Sequence, residues 1–102
     1  MKKRIVIISF LCLGINCYGQ RIKEYNECAI ELLNEKDYHG ALQYYTRIIE
    51  ISPLDSFAYF DRGLLKKEMN DFTDAIEDFS KAIEIDDKNA DNYFLRAITK
   101  DQ

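Results

Sequence analysis

Few side chains in this 102-residue sequence could catalyse a reaction or hold a metal ion. His39 is the only histidine, and no cysteine or second histidine lies near it along the chain. A metal site needs several such ligands together, and a catalytic nucleophile needs a base beside it. Cys28 follows the spacing of the apolar residues around it, which favours a packed thiol over a reactive one. We therefore predict that the protein is not an enzyme and that it uses no metal ion, cofactor or small-molecule substrate.

The charge balance narrows the range of partners. The sequence has 18 acidic and 14 basic residues, for a formal net charge of −4 at pH 7. If residues 1–19 are removed, three basic residues and no acid leave with them, so 11 basic residues face 18 acidic ones and the charge becomes −7. A chain this acidic repels phosphate groups. Nucleic acid and anionic membrane surfaces are therefore not expected as partners.

Residues 1–19 have the composition of a secretory signal peptide. A basic start is followed by an uncharged apolar run, Ile5 to Ile15, and then by the triplet Cys17-Tyr18-Gly19. Small residues at both ends of this triplet predict cleavage before Gln20. The apolar run is shorter than the roughly 20 residues that span a bilayer. We therefore predict an exported protein, periplasmic or extracellular after cleavage. The alternatives are a membrane anchor formed by residues 1–19 and, last, a lipid on Cys17, which lacks the usual residues before it.

An internal repeat indicates which elements position the remaining side chains. The segment Phe72 to Ile85, FTDAIEDFSKAIEI, matches Tyr38 to Ile51, YHGALQYYTRIIEI, 34 residues upstream. Apolar residues in both segments recur every three or four positions, which is the spacing of one face of an α-helix. Sustained period-two alternation and Asn-Gly or Asp-Gly turns are absent from the sequence, so strands are not expected. A repeat of this length is typical of helix pairs that stack on their neighbours.

Five short helices are predicted, and cap residues separate them. Asp37, Asp55 and Asn89 each precede a helix and can accept hydrogen bonds from its first amides. The polar residues of the fourth helix are predicted to form a solvated outer face, with an ion pair between Glu77 and Lys81. The predicted helices are residues 21–35, 38–51, 56–69, 72–85 and 90–101, and the solvated face consists of Asp74, Glu77, Asp78, Lys81 and Glu84.

Small and aromatic residues recur at fixed places in the repeat. They are Tyr25, Ala29, Leu32, Ala41, Tyr45 and Pro53 in the first unit, Tyr59, Gly63, Ala75, Phe79 and Ala82 in the second, and Tyr93 and Ala97 in a half unit. This pattern resembles the tetratricopeptide repeat family. The resemblance implies an all-α fold, a right-handed helix-turn-helix solenoid over residues 20–102, with repeats at 22–55 and 56–89 and a half repeat at 90–102. Departures expected to weaken the packing locally are Ile48, Arg62, Lys66 and Asp87.

The resemblance also implies where a partner would bind. In tetratricopeptide arrays the first helix of each unit lines a concave groove that holds an extended peptide or a partner helix. The implied groove residues are Lys23, Asn26, Ile30, Leu33, Phe57, Phe60, Leu64, Lys67, Asp91, Phe94, Ile98 and Asp101. Some members clamp a terminal carboxylate, but the clamp positions here hold Asn26, Ile30, Asp61, Asp91 and Leu95, so a chaperone tail is not the expected ligand. Phe60 and Phe94 could alternatively pack between units.

We predict an exported scaffold that binds a protein or peptide ligand in this groove. The alternative is a fragment of a longer array, stable only with further helices or as an oligomer, whereas a small enzyme is disfavoured by the lack of catalytic groups. The fifth helix supports this alternative, because its four large apolar residues cannot all be buried against the fourth helix. About two of Tyr93, Phe94, Leu95 and Ile98 should stay exposed, and either self-association through residues 90–102 or fraying of this helix is expected.

Overall fold

The computed structural model describes residues 17–101, with side chains from residue 19 onward. Five α-helices follow one another, namely α1 Cys17–Asn34, α2 Tyr38–Ile51, α3 Ser56–Glu68, α4 Phe72–Ile85 and α5 Ala90–Lys100. The described range contains no strand, and the predicted all-α helical repeat is confirmed. Helix α1 includes residues 17–20, which precede the predicted start at Arg21 and contain no proline that would interrupt a helix. Most of the predicted signal peptide lies outside the described residues, and it stays a prediction.

Each helix packs against the next one along the chain. Contacts join α1 to α2, α2 to α3, α3 to α4 and α4 to α5, and the described part of the molecule measures 45 × 29 × 17 Å. Neighbour-to-neighbour packing of this kind is how repeat proteins bury apolar faces that a single helix pair cannot cover. Between residues 17 and 101, no helix has an apolar stretch long enough to cross a lipid bilayer.

The three predicted helix caps form as expected from the sequence. Their hydrogen bonds run from the amide of Gly40 to Asp37 at 3.1 Å, from Phe57 to Asp55 at 3.0 Å and from Asp91 to Asn89 at 3.0 Å. Asp71 precedes α4 without making a side-chain cap bond. Capping fixes the first residue of α2, α3 and α5, because it satisfies amides that have no partner inside the helix.

The turns inside the two units share one unusual backbone geometry. Lys36 and Asn70, which are 34 residues apart, have φ values of 62° and 63°. This left-handed conformation folds the next amide back onto the helix, so that Asp37 donates to the carbonyl of Leu32 at 2.8 Å and Asp71 to that of Lys66 at 2.9 Å. Helix ends of this type favour Gly or Asn. Asn70 therefore suits its turn, whereas Lys36 holds a conformation that a lysine adopts at some cost.

Most of the small residues that recur in the repeat are buried between neighbouring helices, whereas Ala97 on α5 is exposed. Ala29, Ala41 and Ala75 are 0% exposed. Gly63 on α3 lies against the fully buried ring of Phe79 on α4, and a Cβ added to it would stand 2.6 Å from Cε1 of that ring. Glycine is needed at this place because the two helices approach closely. The larger buried core residues are Tyr45, Ile48, Ile49, Leu65, Phe79 and Ile83.

A buried ion cluster in the second unit corrects part of the sequence interpretation. Asp78, predicted on the solvated face of the fourth helix, is only 4% exposed. Its carboxylate accepts hydrogen bonds from Arg62 at 2.8 and 2.9 Å and lies 3.1 Å from Nζ of Lys66. An unpaired carboxylate at this depth would be costly. Arg62 and Lys66, expected to weaken the packing, therefore neutralise the acid that faces them, and we call Arg62, Lys66 and Asp78 the ion cluster.

The predicted ion pair on α4 also differs from the observed one. Lys81 lies 3.0 Å from Glu84, one turn later, instead of pairing with Glu77. Residues three and four apart on a helix are both within reach of a lysine side chain. Because Lys81 and Glu84 are exposed, the choice between these partners carries little free energy.

Helix α5 is only partly covered. Tyr93 and Phe94 are 42% and 64% exposed, while Leu95 and Ile98 are half-buried. This confirms that about two of the four large apolar residues stay exposed. The side of α5 that packs most deeply buries Asn92 and Thr99 instead, each 1% exposed.

Candidate protein-binding site

Eleven of the twelve predicted groove residues lie on α1, α3 and α5, the first helices of the two units and of the half unit, and Asp101 directly follows α5 as its C-cap. They form rows spaced by the 34-residue repeat, and each row takes one residue from each of the three helical segments. The rows are Lys23, Phe57 and Asp91; Asn26, Phe60 and Phe94; Ile30, Leu64 and Ile98; and Leu33, Lys67 and Asp101. We call these four rows the groove set. Their role in binding stays a prediction.

Each of the three helices in the groove set exposes a large apolar side chain. Ile30 on α1 is 52% exposed, Phe57 on α3 is 65% exposed and Phe94 on α5 is 64% exposed. Exposed apolar groups concentrated on one set of helices are typical of protein-binding surfaces. The other members of the groove set are either exposed, as are Lys23, Asp91 and Asp101, or half-buried, as are Asn26, Leu33, Phe60, Leu64, Lys67 and Ile98.

Phe60 contributes to the core as well as to the predicted groove. Its ring centroid lies 6.1 Å from that of Phe79, with 54° between the ring planes, and the residue is half-buried. A tilted aromatic contact at this distance is favourable. Phe79 belongs to the second helix of the same unit, so the observed contact of Phe60 is within its unit. The half-exposed remainder of the ring is what a ligand could touch.

An acid beside the groove set has an unusual environment. Asp61 is the residue after Phe60, and burial, with the charge of Asp55 as a smaller cause, raises its pKa to about 6. Burial also raises the pKa of Tyr45, and the Asp61 charge adds to that rise. Asp61 thus sits where α3 meets α2. A partly desolvated carboxylate beside the half-buried Phe60 is suited to a ligand that brings a positive charge or a hydrogen-bond donor.

The side chains that could do chemistry remain apart in the structure. In the described range, no group of three or more His, Cys, Asp or Glu is placed to hold a metal ion. His39 is exposed in the first turn of α2. Cys28 is half-buried, and burial raises the pKa of its thiol, which keeps it protonated and unreactive.

Comparisons with known proteins agree with the repeat pattern in the sequence. The model of the family described as tetratricopeptide repeat matches residues 56–89. Human serine/threonine-protein phosphatase 5 is 31% identical over 78 residues, which cover 76% of this chain and 16% of the phosphatase. The tetratricopeptide repeat protein 36 homolog of Nematostella vectensis is 35% identical over 66 residues, 65% of this chain and 36% of that protein. The chain therefore spans a minor part of these relatives.

A solved structure of a tetratricopeptide repeat domain is also similar to this chain. The TPR2B domain of yeast Sti1, in a complex with pHsp70, superposes with a TM-score of 0.72 at 28% sequence identity, over 78% of this chain and 64% of that one. The family model, the relatives and the shared fold together identify the chain as a tetratricopeptide repeat protein. Its fold is that of a protein-interaction module, whose concave surface is the usual binding face.

Two features, the ion cluster and the raised pKa of Asp61, were not predicted from the sequence. The ion cluster was missed because Asp78 has the spacing of the polar residues Asp74 and Lys81 on α4, and its partners come from another helix. A signal was present, since Arg62 and Lys66 stand where the family pattern has apolar residues. The raised pKa of Asp61 had no sequence signal, because it depends on how deeply α2 and α3 cover the carboxylate.

Proposed function

We propose that this protein is an exported scaffold that binds an extended peptide or a helix of a partner protein in the groove set of α1, α3 and α5. The observation that carries the proposal is the exposure of Ile30, Phe57 and Phe94, one apolar side chain on each first helix. A ligand that covers these groups removes apolar surface from water, at about 25 cal/mol per Å².

The chemistry of the groove set suggests what kind of peptide it takes. One row, Ile30, Leu64 and Ile98, is apolar on all three helices, and Phe57, Phe60 and Phe94 add apolar side chains in the neighbouring rows. This favours a ligand with apolar side chains spaced along an extended or helical segment. The positions that clamp a terminal carboxylate in some family members hold no Lys or Arg here, so an internal segment of the partner suits the groove better than its C-terminus. The complex of the Sti1 domain with pHsp70 supports a protein ligand in general terms.

Site-directed variants separate the groove set from other exposed apolar residues. Ile30→Glu and Phe57→Glu should each abolish capture of the partner from an envelope extract, with little change in helical content or melting temperature, because both side chains are mostly exposed. Leu54→Glu is the matched control, since Leu54 is 77% exposed in the turn between α2 and α3, outside the groove set. If Leu54→Glu lost the partner as fully as the other two variants, or if all three kept it, the groove would not be the binding site.

Export is tested independently of binding. The intact mass of the protein recovered from cells should correspond to a chain that begins at Gln20. A mass that retains residues 1–19, or one that includes a lipid on Cys17, would contradict the proposed soluble, exported form and leave the groove proposal unaffected.

A further inference from the structure

Helix α5 repeats four residues that share one face of α3, and three of these, Arg62, Gly63 and Lys66, contact α4. Tyr59, Arg62, Gly63 and Lys66 of α3 correspond, 34 residues later, to Tyr93, Arg96, Ala97 and Lys100 of α5. We call these four residues of α5 the open face. On α3, the equivalent side is covered by α4, with Gly63 buried and the side chains of Arg62 and Lys66 only 18% and 16% exposed. On α5, Tyr93, Ala97 and Lys100 are exposed. The open face shares no residue with the groove set.

Arg96 is held in the same way as Arg62. Nη1 of Arg62 donates to the hydroxyl of Thr46 at 3.3 Å, and Nη1 of Arg96 donates to the hydroxyl of Ser80 at 3.4 Å. The guanidinium carbon of Arg62 lies 5.8 Å from the ring centroid of Tyr59, and that of Arg96 lies 5.6 Å from the ring centroid of Tyr93. Neighbouring groups therefore hold the Arg96 side chain in place before any ligand arrives.

The carboxylate is the part of the ion cluster that α5 does not have. Asp78 joins Arg62 and Lys66, whereas no carboxylate of residues 17–101 lies within ion-pair distance of Arg96 or Lys100. The open face therefore consists of two cations, an exposed tyrosine ring and a small residue. Within the described residues, no acid pairs with these cations and no apolar helix face packs over them. An acid placed between two cations makes charge-assisted hydrogen bonds, which are the strong ones.

We propose that the open face binds an amphipathic helix of a partner protein, and that this helix places a carboxylate between Arg96 and Lys100 as α4 places Asp78 between Arg62 and Lys66. The pattern on α4 defines the helix chemically, because the acid is followed at once by the buried Phe79 and preceded three residues earlier by the buried Ala75. Ala97 is compatible with such a cover, since Ala29, its counterpart on α1, is 0% exposed beneath α2.

A second folded copy of the same chain is a poorer occupant. The helix that carries the required pattern is α4, and its Asp78 and Phe79 are 4% and 0% exposed within their own unit. A second copy would have to open that unit before it could offer them. A helix from a different protein has no such cost, so the charge and shape of the open face favour a partner.

The α4 sequence itself is the probe for this surface. The probe is a peptide of residues 70–86 in which a lactam joins Glu77 and Lys81 on the exposed side. The lactam holds the peptide in a helix, because free peptides of this length are marginally helical. Circular dichroism checks the helicity before use. Titrated into the ¹⁵N-labelled full chain, the peptide should shift the amide resonances of residues 93–100 in a saturable way. The peptide with Asp78→Asn should bind about tenfold more weakly.

Two double variants of the protein show whether the cations of the open face are responsible. Arg96→Gln with Lys100→Gln should weaken binding of the unmodified lactam peptide about tenfold and remove its preference over the Asp78→Asn peptide. Arg47→Gln with Lys36→Gln is the matched control, because it removes an arginine stacked on a tyrosine and an exposed lysine from the first unit, and binding should stay within twofold.

Three results would overturn the proposal. The first is no saturable shift at about 1 mM of helical peptide, well above the micromolar range of specific complexes. The second is equal affinity for the unmodified lactam peptide and for the peptide with Asp78→Asn. The third is a set of shifts in α3 and in residues 72–85 instead of α5, which would mean that the peptide replaces α4 within the second unit. Each can be distinguished from failure of the groove proposal, whose variants lie outside the open face.

Discussion

Removing the carboxylate of the ion cluster should be among the most damaging single changes in the second unit. Asp78→Ala leaves Arg62 and Lys66 facing each other with side chains only 18% and 16% exposed. Breaking a buried ion pair by deleting one partner costs roughly 3–5 kcal/mol. Arg62 keeps its hydrogen bond to Thr46, and both cations retain some contact with water. We therefore expect a smaller loss of stability, about 2–3 kcal/mol.

Urea unfolding followed by circular dichroism measures this cost. With a slope of about 1 kcal/mol per M for a small domain, a loss of about 2–3 kcal/mol lowers the midpoint by roughly 2–3 M. The first unit supplies a control, because Cys28, Leu32 and Tyr44 occupy the positions equivalent to Arg62, Lys66 and Asp78. Transferring these three residues into the second unit should restore the stability to within about 1 kcal/mol of the natural protein, since apolar replacement of a buried ion cluster is often neutral.

The reasoning would be refuted by an Asp78→Ala variant whose free energy of unfolding lies within about 0.5 kcal/mol of the natural protein, the range typical of surface substitutions. That result would mean that Asp78 behaves as part of a solvated face. A damaged Asp78→Ala variant together with an equally damaged triple variant would instead show that shape, not charge compensation, dominates at this site.

Five further substitutions, of which Phe79→Glu is a control, test other features by the same unfolding assay. Lys36→Gly should stabilise the protein by about 0.5–1 kcal/mol, because glycine adopts the positive φ of 62° without strain. Gly63→Ala should destabilise it by about 1–2 kcal/mol, because the new Cβ would stand 2.6 Å from the Phe79 ring, and this outweighs the gain of helix propensity. Phe60→Glu should lose partner binding and about 1–2 kcal/mol of stability, whereas Phe79→Glu should unfold the chain. Asp61→Asn should raise the stability at pH 7 by about 1–2 kcal/mol, because it removes a carboxylate whose pKa is raised by burial. This figure is reduced because the Asp61 carboxylate keeps partial contact with water.

The pH dependence of Asp61 has a definite sign. Its pKa rises from 3.8 to about 6 on folding, so the folded state holds a proton that the unfolded chain releases between these pH values. The natural protein should therefore lose stability as the pH rises through this window, and Asp61→Asn should lack that loss. A profile that is unchanged by the substitution would show that Asp61 is well solvated.

Each of the other three predictions also has an outcome that contradicts it. A Lys36→Gly variant less stable than the natural protein would mean that the lysine side chain makes a contact worth more than the backbone strain. A Gly63→Ala variant more stable than the natural protein would show that α3 and α4 can separate freely. A Phe60→Glu variant that stays stable and still binds its partner would remove this residue from both core and groove.

The sequence by itself determined the helices and their order. Caps at Asp37, Asp55 and Asn89 act on amides two or three residues away, and the 3.6-residue apolar period is a property of each helix alone. The small residues at the helix crossings could also be read from the sequence, because the repeat presents them twice. Even the exposure of α5 followed from its apolar content and the single helix before it.

Only the tertiary structure decided how polar residues are used. Asp78 and Glu77 are neighbours of the same chemical type on α4, yet Asp78 is 4% exposed and Glu77 lies in solvent. Local spacing gives only a weak signal, because Asp78 lies at the edge of the apolar face, about 100° of helical rotation from Glu77, and an edge residue is buried only where a neighbouring helix covers it. The burial of Asp78 depends on cations supplied by α3, 16 residues earlier in the case of Arg62. The pKa of Asp61 likewise depends on α2, since desolvation is produced by whichever helices cover a group.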